Sequence, residues 1–477
     1  MLSILLIKDF KLLLKDLKFQ LFFLLLVALF ILAAISSYVT YQAHSQEFQE
    51  LSNEHIEKVN DGTSFRLREL LSRGRISVID SPSPALLFSS YKNYHTRLTN
   101  DVLLYNPNFL RYSTTESKAF QLDWNFILGI LSGFILLVLS FEAVANERRT
   151  GTLRLLSVNG CKRQIFLWSK YLSYMILYII IIIPPALISM LLFFTLTGTW
   201  EISYMLKYFA ILLLSIPFAS FFVWVGIFVS MAKNYRSSIV IIVFFWLLLV
   251  VIIPQSANIL GKQISEIKTS GEYINTQNKI WLDEYNTLSQ KVEETESVAI
   301  AQGNYIFDAY YYHALPMVTA DEKRNQAQLQ ELDDNRNQLQ TIEKIAIISP
   351  FTQYEKISEI LFDKGYYLMK FQEDTMKNTI TQVRNLLIEQ DSKDERSFHM
   401  LYRGAGNITF RGRPGQPEVA FSELIFDHPN LLFITNPPTD DAMKKTFKII
   451  LRLIPILTLN LMLVTGSVLK FERLDIR

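Results

Sequence analysis

The amino-acid sequence predicts an all-α polytopic membrane protein, with about six transmembrane helices and a mainly helical domain with a small β-element outside the bilayer. Two observations predict it. Half of the 477 residues are hydrophobic, only 19% are charged, and the mean hydropathy is +0.20, a balance soluble globular chains rarely show. The average is also segregated: apolar runs almost free of charge alternate with long stretches rich in Asn, Gln, Glu, Lys and Tyr. Each run is near the ~20 residues that a helix needs to cross the hydrocarbon core. In that solvent every backbone amide must be satisfied within its own segment, so such runs are read as helices.

The first run, Leu21 to Val39, follows Lys8, Lys11, Lys15 and Lys18. It has the length of a span and no clean small-residue cleavage pattern follows, which argues for a retained helix rather than a signal peptide. Ahead of it, Leu2, Leu5, Leu6, Phe10, Leu13 and Leu14 recur near helical spacing among the lysines. This stretch reads either as a basic amphipathic helix in the headgroup layer or as a simple charged flank. The other runs are Phe126 to Ala145, Tyr171 to Thr197, Phe209 to Met231, Ile239 to Pro254 and Phe447 to Leu469. Pro184-Pro185 removes two backbone donors and is expected to kink the third run; Pro217 and Pro455 are candidates for bends in theirs. Arg452, near the outer end of the last run, is expected to snorkel to the interface. Glu142, at the inner end of the second, reads equally as pairing with a neighbour such as Arg148 or as serving a transport role.

Basic residues beside the spans set the orientation. One side collects Lys8, Lys11, Lys15, Lys18, Arg148, Arg149, Arg154, Lys162, Arg163, Lys170, Lys233, Arg236, Lys470, Arg473 and Arg477, whereas the short segment Gly198 to Tyr208 has only Lys207. Both termini are therefore expected in the cytoplasm. The chain divides into an entry helix and first span (1–40), a first exported segment (41–123), spans two to five (124–254) with a cytoplasmic loop (142–170), a large exported domain (255–445), and a last span with its tail (446–477).

The exported segments read as folded. Tyr41 to about Leu71 is a polar helical stretch, stopped by Ser81-Pro82-Ser83-Pro84. Tyr273 to Val298 and Asp321 to Ile345 read as two polar amphipathic helices forming an antiparallel hairpin. Ser349-Pro350 breaks the chain before a helix from Phe351 to about Leu387. Arg403 to Phe426, with four glycines and short β-prone runs, reads as the small β-element. Asn407-Ile408-Thr409 matches a glycosylation sequon to which we assign no role.

The composition also excludes functions. A net charge of +2 suggests no nucleic-acid partner. The single cysteine, Cys161, cannot close an internal disulfide, and six scattered histidines with no i, i+4 pair make a poor metal site. No phosphate-binding loop, nucleophile elbow or His-Glu-x-x-His pattern occurs. The chain is therefore not expected to be an enzyme or to carry a cofactor. Any active transport would draw its energy from another subunit or from an ion gradient. A gradient-driven carrier predicts buried acidic or polar groups within the spans, and the apolar runs contain almost none.

The most specific stretch lies between the second and third spans, from Phe141 to Ser157 and on to Lys170. Gly151 permits a turn, Thr152 can cap the short helix that follows, and Leu153, Leu155 and Leu156 give that helix an apolar side. Glu147, Arg148, Arg149 and Arg154 surround it with charge. An exposed helix end of this kind suits docking into a groove on another protein; the plain alternative is an ordinary connector with positive-inside charge. Glu147-Arg148-x-x-Gly151-Thr152-Leu153 after a span, then a basic cluster and a Lys opening the next span, resembles the permease subunits of bacterial type-2 ABC exporters. The ending Phe471 to Ile476 resembles that family's aromatic-basic-Asp terminus. The large inserts, punctuated at Ser83-Pro84 and Ser349-Pro350, are similar to those of one subfamily and depart from the short loops of the common members. The resemblance implies that Glu147, Arg148, Gly151, Thr152 and Leu153, with the adjacent Arg154, form the coupling helix that meets an ATPase subunit. It implies residence in the bacterial cytoplasmic (inner) membrane, pairing with a second copy or a paralogous permease, and two ABC ATPase subunits that bind the ATP and Mg. An alternative with the same loop is a non-transporting machine that transmits motion to an envelope or periplasmic protein through the exported domain.

Overall fold

The computed structural model describes residues 2–60, 65–66, 75–80, 83–88, 97–101, 122–232, 235–264, 270–301, 306–307, 315–364, 408–409, 425–426, 432–435 and 442–473, with scattered helical positions between 371 and 389. Six helices among them are long and apolar enough to cross a membrane: Leu17–Glu50, Asn125–Arg149, Arg163–Thr197, Ile202–Ser230, Ser238–Ile264 and Met443–Glu472. The protein is an all-α polytopic membrane protein.

Helix α1 (Leu2–Lys15) precedes α2 (Leu17–Asn60), the first span. No Gly or Pro interrupts residues 17–60, so α2 continues beyond its apolar stretch, and residue 40 falls in mid-helix. The second span opens as a π-helix, π1 (Asn125–Leu131), and continues as α3 (Ser132–Ser140). After a turn come α4 (Ala145–Arg149) and α5 (Thr152–Val158). Span three, α6 (Arg163–Thr197), runs unbroken through Pro184-Pro185 and is closed by Gly198 at φ +70°, whose N–H reaches the Phe194 carbonyl at 3.0 Å. Only glycine adopts that left-handed conformation at little cost. Span four is α7 (Ile202–Ser230). Span five joins α8 (Tyr235–Leu247), a second π-helix π2 (Leu248–Ile252) and α9 (Ile253–Ile264).

Small residues let the spans approach closely, as expected where lipid supplies no hydrophobic drive between helices. A Cβ on Gly226 of α7 would lie 1.8 Å from Ser140 Oγ of α3, and one on Gly133 would lie 2.9 Å from the Phe222 ring. Helices α1 and α2 pack on α6.

Both described chain ends lie at the same end of the bundle as the 141–163 loop. Lys18 Nζ is 2.8 Å from Glu142 Oε1, and Arg163 Nη1 donates to the Phe471 carbonyl at 3.1 Å. Glu142 thus finds an ion-pair partner in Lys18, at the start of α2, while Arg148 Nη2 donates to the Ala232 carbonyl at 2.7 Å.

The inserts occupy the opposite end. The expected pair of polar helices is present as α10 (Ser270–Ala301) and α11 (Leu315–Ile345), packed on each other. Gln277 Nε2 donates to the Arg324 carbonyl at 3.4 Å between them. The foot of α11 rests on α9 through Ala257, Ile342 and Ala346; a Cβ on Gly261 would meet Ile342 Cγ1 at 2.2 Å.

The β-structure draws on both inserts rather than on residues 403–426 alone. Strand β2 (Arg75–Asp80) pairs antiparallel with β3 (Arg97–Asp101) and parallel with β7 (Leu432–Thr435). Two-residue pairings join β1 (Phe65–Arg66) to β6 (Ile425–Phe426) and β4 (Ile306–Phe307) to β5 (Ile408–Thr409). Most of 403–426 and residues 474–477 lie outside the described residues.

Both Ser-Pro punctuations fold back into the bundle. The 3-10 turn Pro84–Leu87 is capped by Ser83, and its Pro84 carbonyl accepts from Tyr208 Oη at 2.6 Å. Helix α12 (Pro350–Phe362) has Ser349 as its cap: Ser349 Oγ accepts from Thr352 N–H at 3.3 Å and donates to the Leu249 carbonyl at 2.6 Å. Proline at the first helical position forfeits no bond. The helix expected to continue to residue 387 stops at Phe362, because Asp363 turns left-handed (φ 54°) and is held by Lys207 at 3.3 Å and Lys445 at 2.5 Å. Span six, α13 (Ala442–Glu472), packs along α7 and α12. Arg452 does not snorkel alone: its Nη2 lies 2.5 Å from Glu343 Oε2 of α11.

Candidate functional site

The site begins with two left-handed glycines. Gly151 (φ +73°) separates α4 from α5, and Gly160 (φ +74°) ends α5. The Cys161 N–H then reaches back to the Leu156 carbonyl at 3.0 Å, the six-to-one bond of a Schellman cap. The two turns make α5 a short stub bracketed by sharp bends.

The stub is fixed from within by one buried carboxylate. Thr152 was expected to cap α5; instead its hydroxyl donates to the Glu147 carbonyl at 3.1 Å and to Glu147 Oε2. The other carboxylate oxygen, Glu147 Oε1, accepts from Lys170 Nζ at 2.8 Å, and Lys170 also donates to Asp9 Oδ1 of α1 at 2.9 Å. Ser169 Oγ adds a 3.4 Å bond to Asp9 Oδ2. The side chains of Lys170, Asp9 and Glu147 are only 9%, 6% and 11% exposed. One ammonium between two carboxylates, out of water, therefore joins the entry helix, the end of span two, the start of span three and the first residue of α5. Breaking such a buried pair from one side strands a charge, which costs about 3–5 kcal/mol.

Neighbouring bonds tie the elbow to the remaining spans. Val144 N–H donates to Ser230 Oγ at 3.3 Å, and Arg148 reaches Ala232 just beyond α7. Arg163 holds the Phe471 carbonyl, and the Phe166 and Phe471 rings stack with centroids 5.6 Å apart.

The sequence-predicted residues thus divide. Glu147, Arg148, Gly151, Thr152 and Leu153 form one internal unit, with Leu153 buried. Arg154 points outward. The exposed apolar surface of α5 is Leu155 (63%) and Val158 (79%), whereas Leu153 and Leu156 pack inward. Sequence reasoning missed Asp9 and assigned Lys170 no bond. The available signal was that Asp9 is the one acidic residue among the first fifteen. Burial pushes the Cys161 thiol above its usual range, with a smaller opposing pull from the N-terminal amine. Among the described residues no group of three His, Cys, Asp or Glu could hold a metal ion.

A six-span helical bundle with a bracketed, partly exposed stub at the end bearing both termini defines a polytopic membrane protein. Residues 3–380 match the sequence model of the family described as ABC-2 family transporter protein, and the chain belongs to that family. Membership makes it a membrane component of an ABC transporter and implies an ABC ATPase as partner. Comparison with curated proteins and with solved structures returned no match.

Proposed function

We propose that this chain is the permease subunit of an ATP-driven exporter in a bacterial cytoplasmic membrane, with both termini cytoplasmic, and that its α5 stub docks in a separate ATPase. The observation that carries this reading is the buried Asp9–Lys170–Glu147–Thr152 chain of bonds, which connects an exposed stub to two spans and the entry helix. The basic residues gathered at that end, Lys8, Lys11, Lys15, Lys18, Arg148, Arg149, Arg154 and Lys162, support the cytoplasmic assignment. Docking residues are Arg154, Leu155 and Val158; Glu147, Thr152 and Lys170 relay displacement to the spans. ATP and Mg belong to the ATPase, and six spans call for a second permease copy or paralogue. ATP-driven closure would tilt the spans between states of different access. Leu155→Asp is expected to abolish co-purification of the ATPase while leaving the bundle intact; retention at wild-type level would refute docking through α5.

A second reading, mechanical transmission to an envelope protein without transport, is favoured by two contacts. The hairpin foot is seated on span five at Gly261–Ile342 and pinned to span six through Glu343 and Arg452, so tilting of either span would swing α10 and α11. Coupled ATP hydrolysis in sealed vesicles without solute movement would favour it, and clear solute movement would exclude it.

A further inference from the structure

Helix α1 carries two faces of opposite kind. Leu5, Asp9 and Leu13 recur at i, i+4 and i+8, so they share one side of the helix. That side turns inward: Leu5 and Asp9 are buried, and Leu13 packs against the core. Ile4, Lys8, Lys11 and Lys15 recur at i, i+4, i+7 and i+11 and form a stripe on the other side. All four are exposed. Ile7 and Leu12, 52% and 57% exposed, edge the stripe on its two flanks. The outward face is therefore basic along its midline and apolar at both margins.

The acids nearby do not neutralise that stripe. Asp9 points away from it, to Lys170 Nζ at 2.9 Å. Asp16 serves the backbone: its side chain accepts from the Lys18 N–H at 3.0 Å and its carbonyl from the Gln20 N–H at 3.2 Å. It thus caps α2 and makes α1 and α2 two helices rather than one. Glu142 is held by Lys18. Among the described residues, the side chains of Lys8, Lys11 and Lys15 make no hydrogen bond or ion pair. Beyond Asp16 the exposed apolar surface continues onto the first span as Leu17, Leu21 and Leu24, again at i, i+4 and i+7. On a spanning helix such a stripe faces acyl chains. The outward face of α1 therefore runs on into a lipid-facing surface, and its charge is the complement of an anionic headgroup layer.

We propose that the outward face of α1 seats an anionic lipid surface, with Lys8, Lys11 and Lys15 on headgroup phosphates and Ile7 and Leu12 in the acyl boundary, and that this seat steadies Asp9 at the start of the Asp9–Lys170–Glu147 chain of bonds. Lys8 and Asp9 are successive residues on opposite sides of one turn, so a helix held by its lysines also holds the carboxylate that grips Lys170. Each lysine close to an anionic surface strengthens attachment roughly fivefold, and three together act on the order of a hundredfold. The seat itself does not depend on the permease reading; its effect on coupling rests on that reading.

The test uses the full chain in lipid nanodiscs, as a Cys161→Ser/Ile7→Cys variant carrying a fluorophore at position 7. Spin-labelled phosphatidylglycerol and spin-labelled phosphatidylcholine serve as quenchers. The expected result is quenching by the anionic lipid at an about tenfold lower mole fraction than by the neutral one. The preference should vanish in Lys8→Gln/Lys11→Gln/Lys15→Gln and survive in the triple Lys→Arg variant, which separates loss of charge from loss of fold. Equal quenching by the two lipids, quenching by neither, or a preference that persists in the triple Gln variant overturns the seat. A label shielded from both lipids once the ATPase binds also overturns it, and marks α1 as a protein contact. For the effect on coupling, stimulation of ATP hydrolysis by wild type should be several-fold higher in anionic than in neutral nanodiscs, and equal in both for the triple Gln variant. Equal stimulation of wild type in the two bilayers overturns the link to Asp9. An ATPase that does not bind wild type would remove the permease reading and leave the quenching result as it stands.

Discussion

Lys170→Met is the most informative single change at the end of the bundle that bears both termini. The methionine keeps most of the lysine stem, so packing is nearly conserved, but the ammonium that lies 2.9 Å from Asp9 and 2.8 Å from Glu147 is gone. Two carboxylates then face each other with side chains only 6% and 11% exposed. Stranding charge in this way costs about 3–5 kcal/mol. For a bundle of this size that corresponds to a fall in thermal midpoint on the order of 5–10 °C. The same change frees Glu147 from α6, so displacement of α5 no longer reaches span three. In detergent-solubilised complex, the ATPase should remain bound, because Leu155 and Val158 are untouched, while permease-dependent stimulation of hydrolysis falls about tenfold. The triple variant Asp9→Asn/Glu147→Gln/Lys170→Met removes all three charges and should recover most of the stability, since a neutral replacement strands nothing. A Lys170→Met protein that melts within about 1 °C of wild type and keeps full stimulation would refute both the buried triad and its role as a relay.

Three further outcomes follow from the same geometry. Gly151→Ala meets no neighbour, so its cost is backbone strain alone, about 1–2 kcal/mol from the left-handed φ; Gly151→Asn should cost less, and thermal melting compares them. Gly226→Ala drives a Cβ to 1.8 Å from Ser140 Oγ, an overpacking expected to cost about 1–3 kcal/mol, and Ser140→Gly should rescue much of the lost midpoint. Burial by itself raises the pKa of Glu343, but Lys356 and Arg452 more than offset this and hold the carboxyl below its usual range. A depressed folded pKa contributes stability above the unfolded value and loses it as pH falls through the folded one. The stability gap between wild type and Glu343→Gln should therefore be constant from pH 8 to about pH 5 and close below about pH 4; a gap that widens on acidification would contradict the pairing.

The parts of this architecture legible in the sequence are those set by solvent. Six apolar runs of bilayer length could only be helices, and Gly151, set between charged residues and a Leu-rich stub, could only be a turn. What escaped was set by distant partners. Helix α12 carries Gln353, Glu355, Lys356 and Glu359, a composition that reads as a solvated face; within the bundle Lys356 is paired by Glu359 and by Glu343 of α11, which in turn holds Arg452, almost a hundred residues away. The three-stranded sheet was hidden because its strands are short and β7 lies more than three hundred residues from its partner β2. On α5, three leucines read as one apolar side, but only the tertiary contacts of Leu153 and Leu156 show that Leu155 and Val158 are the ones left exposed. Asp9 was masked by the lysines around it, which drew the eye to lipid headgroups rather than to Lys170.

The central claim is that α5 meets an ATPase in the cytoplasm. Its most direct measurement is the accessibility of a cysteine at Val158 in a Cys161→Ser background, read with a membrane-impermeant maleimide in right-side-out and inside-out vesicles. The account predicts labelling only in inside-out vesicles, and protection there when the ATPase is bound. Labelling in right-side-out vesicles, or full reactivity with the ATPase bound, would contradict it.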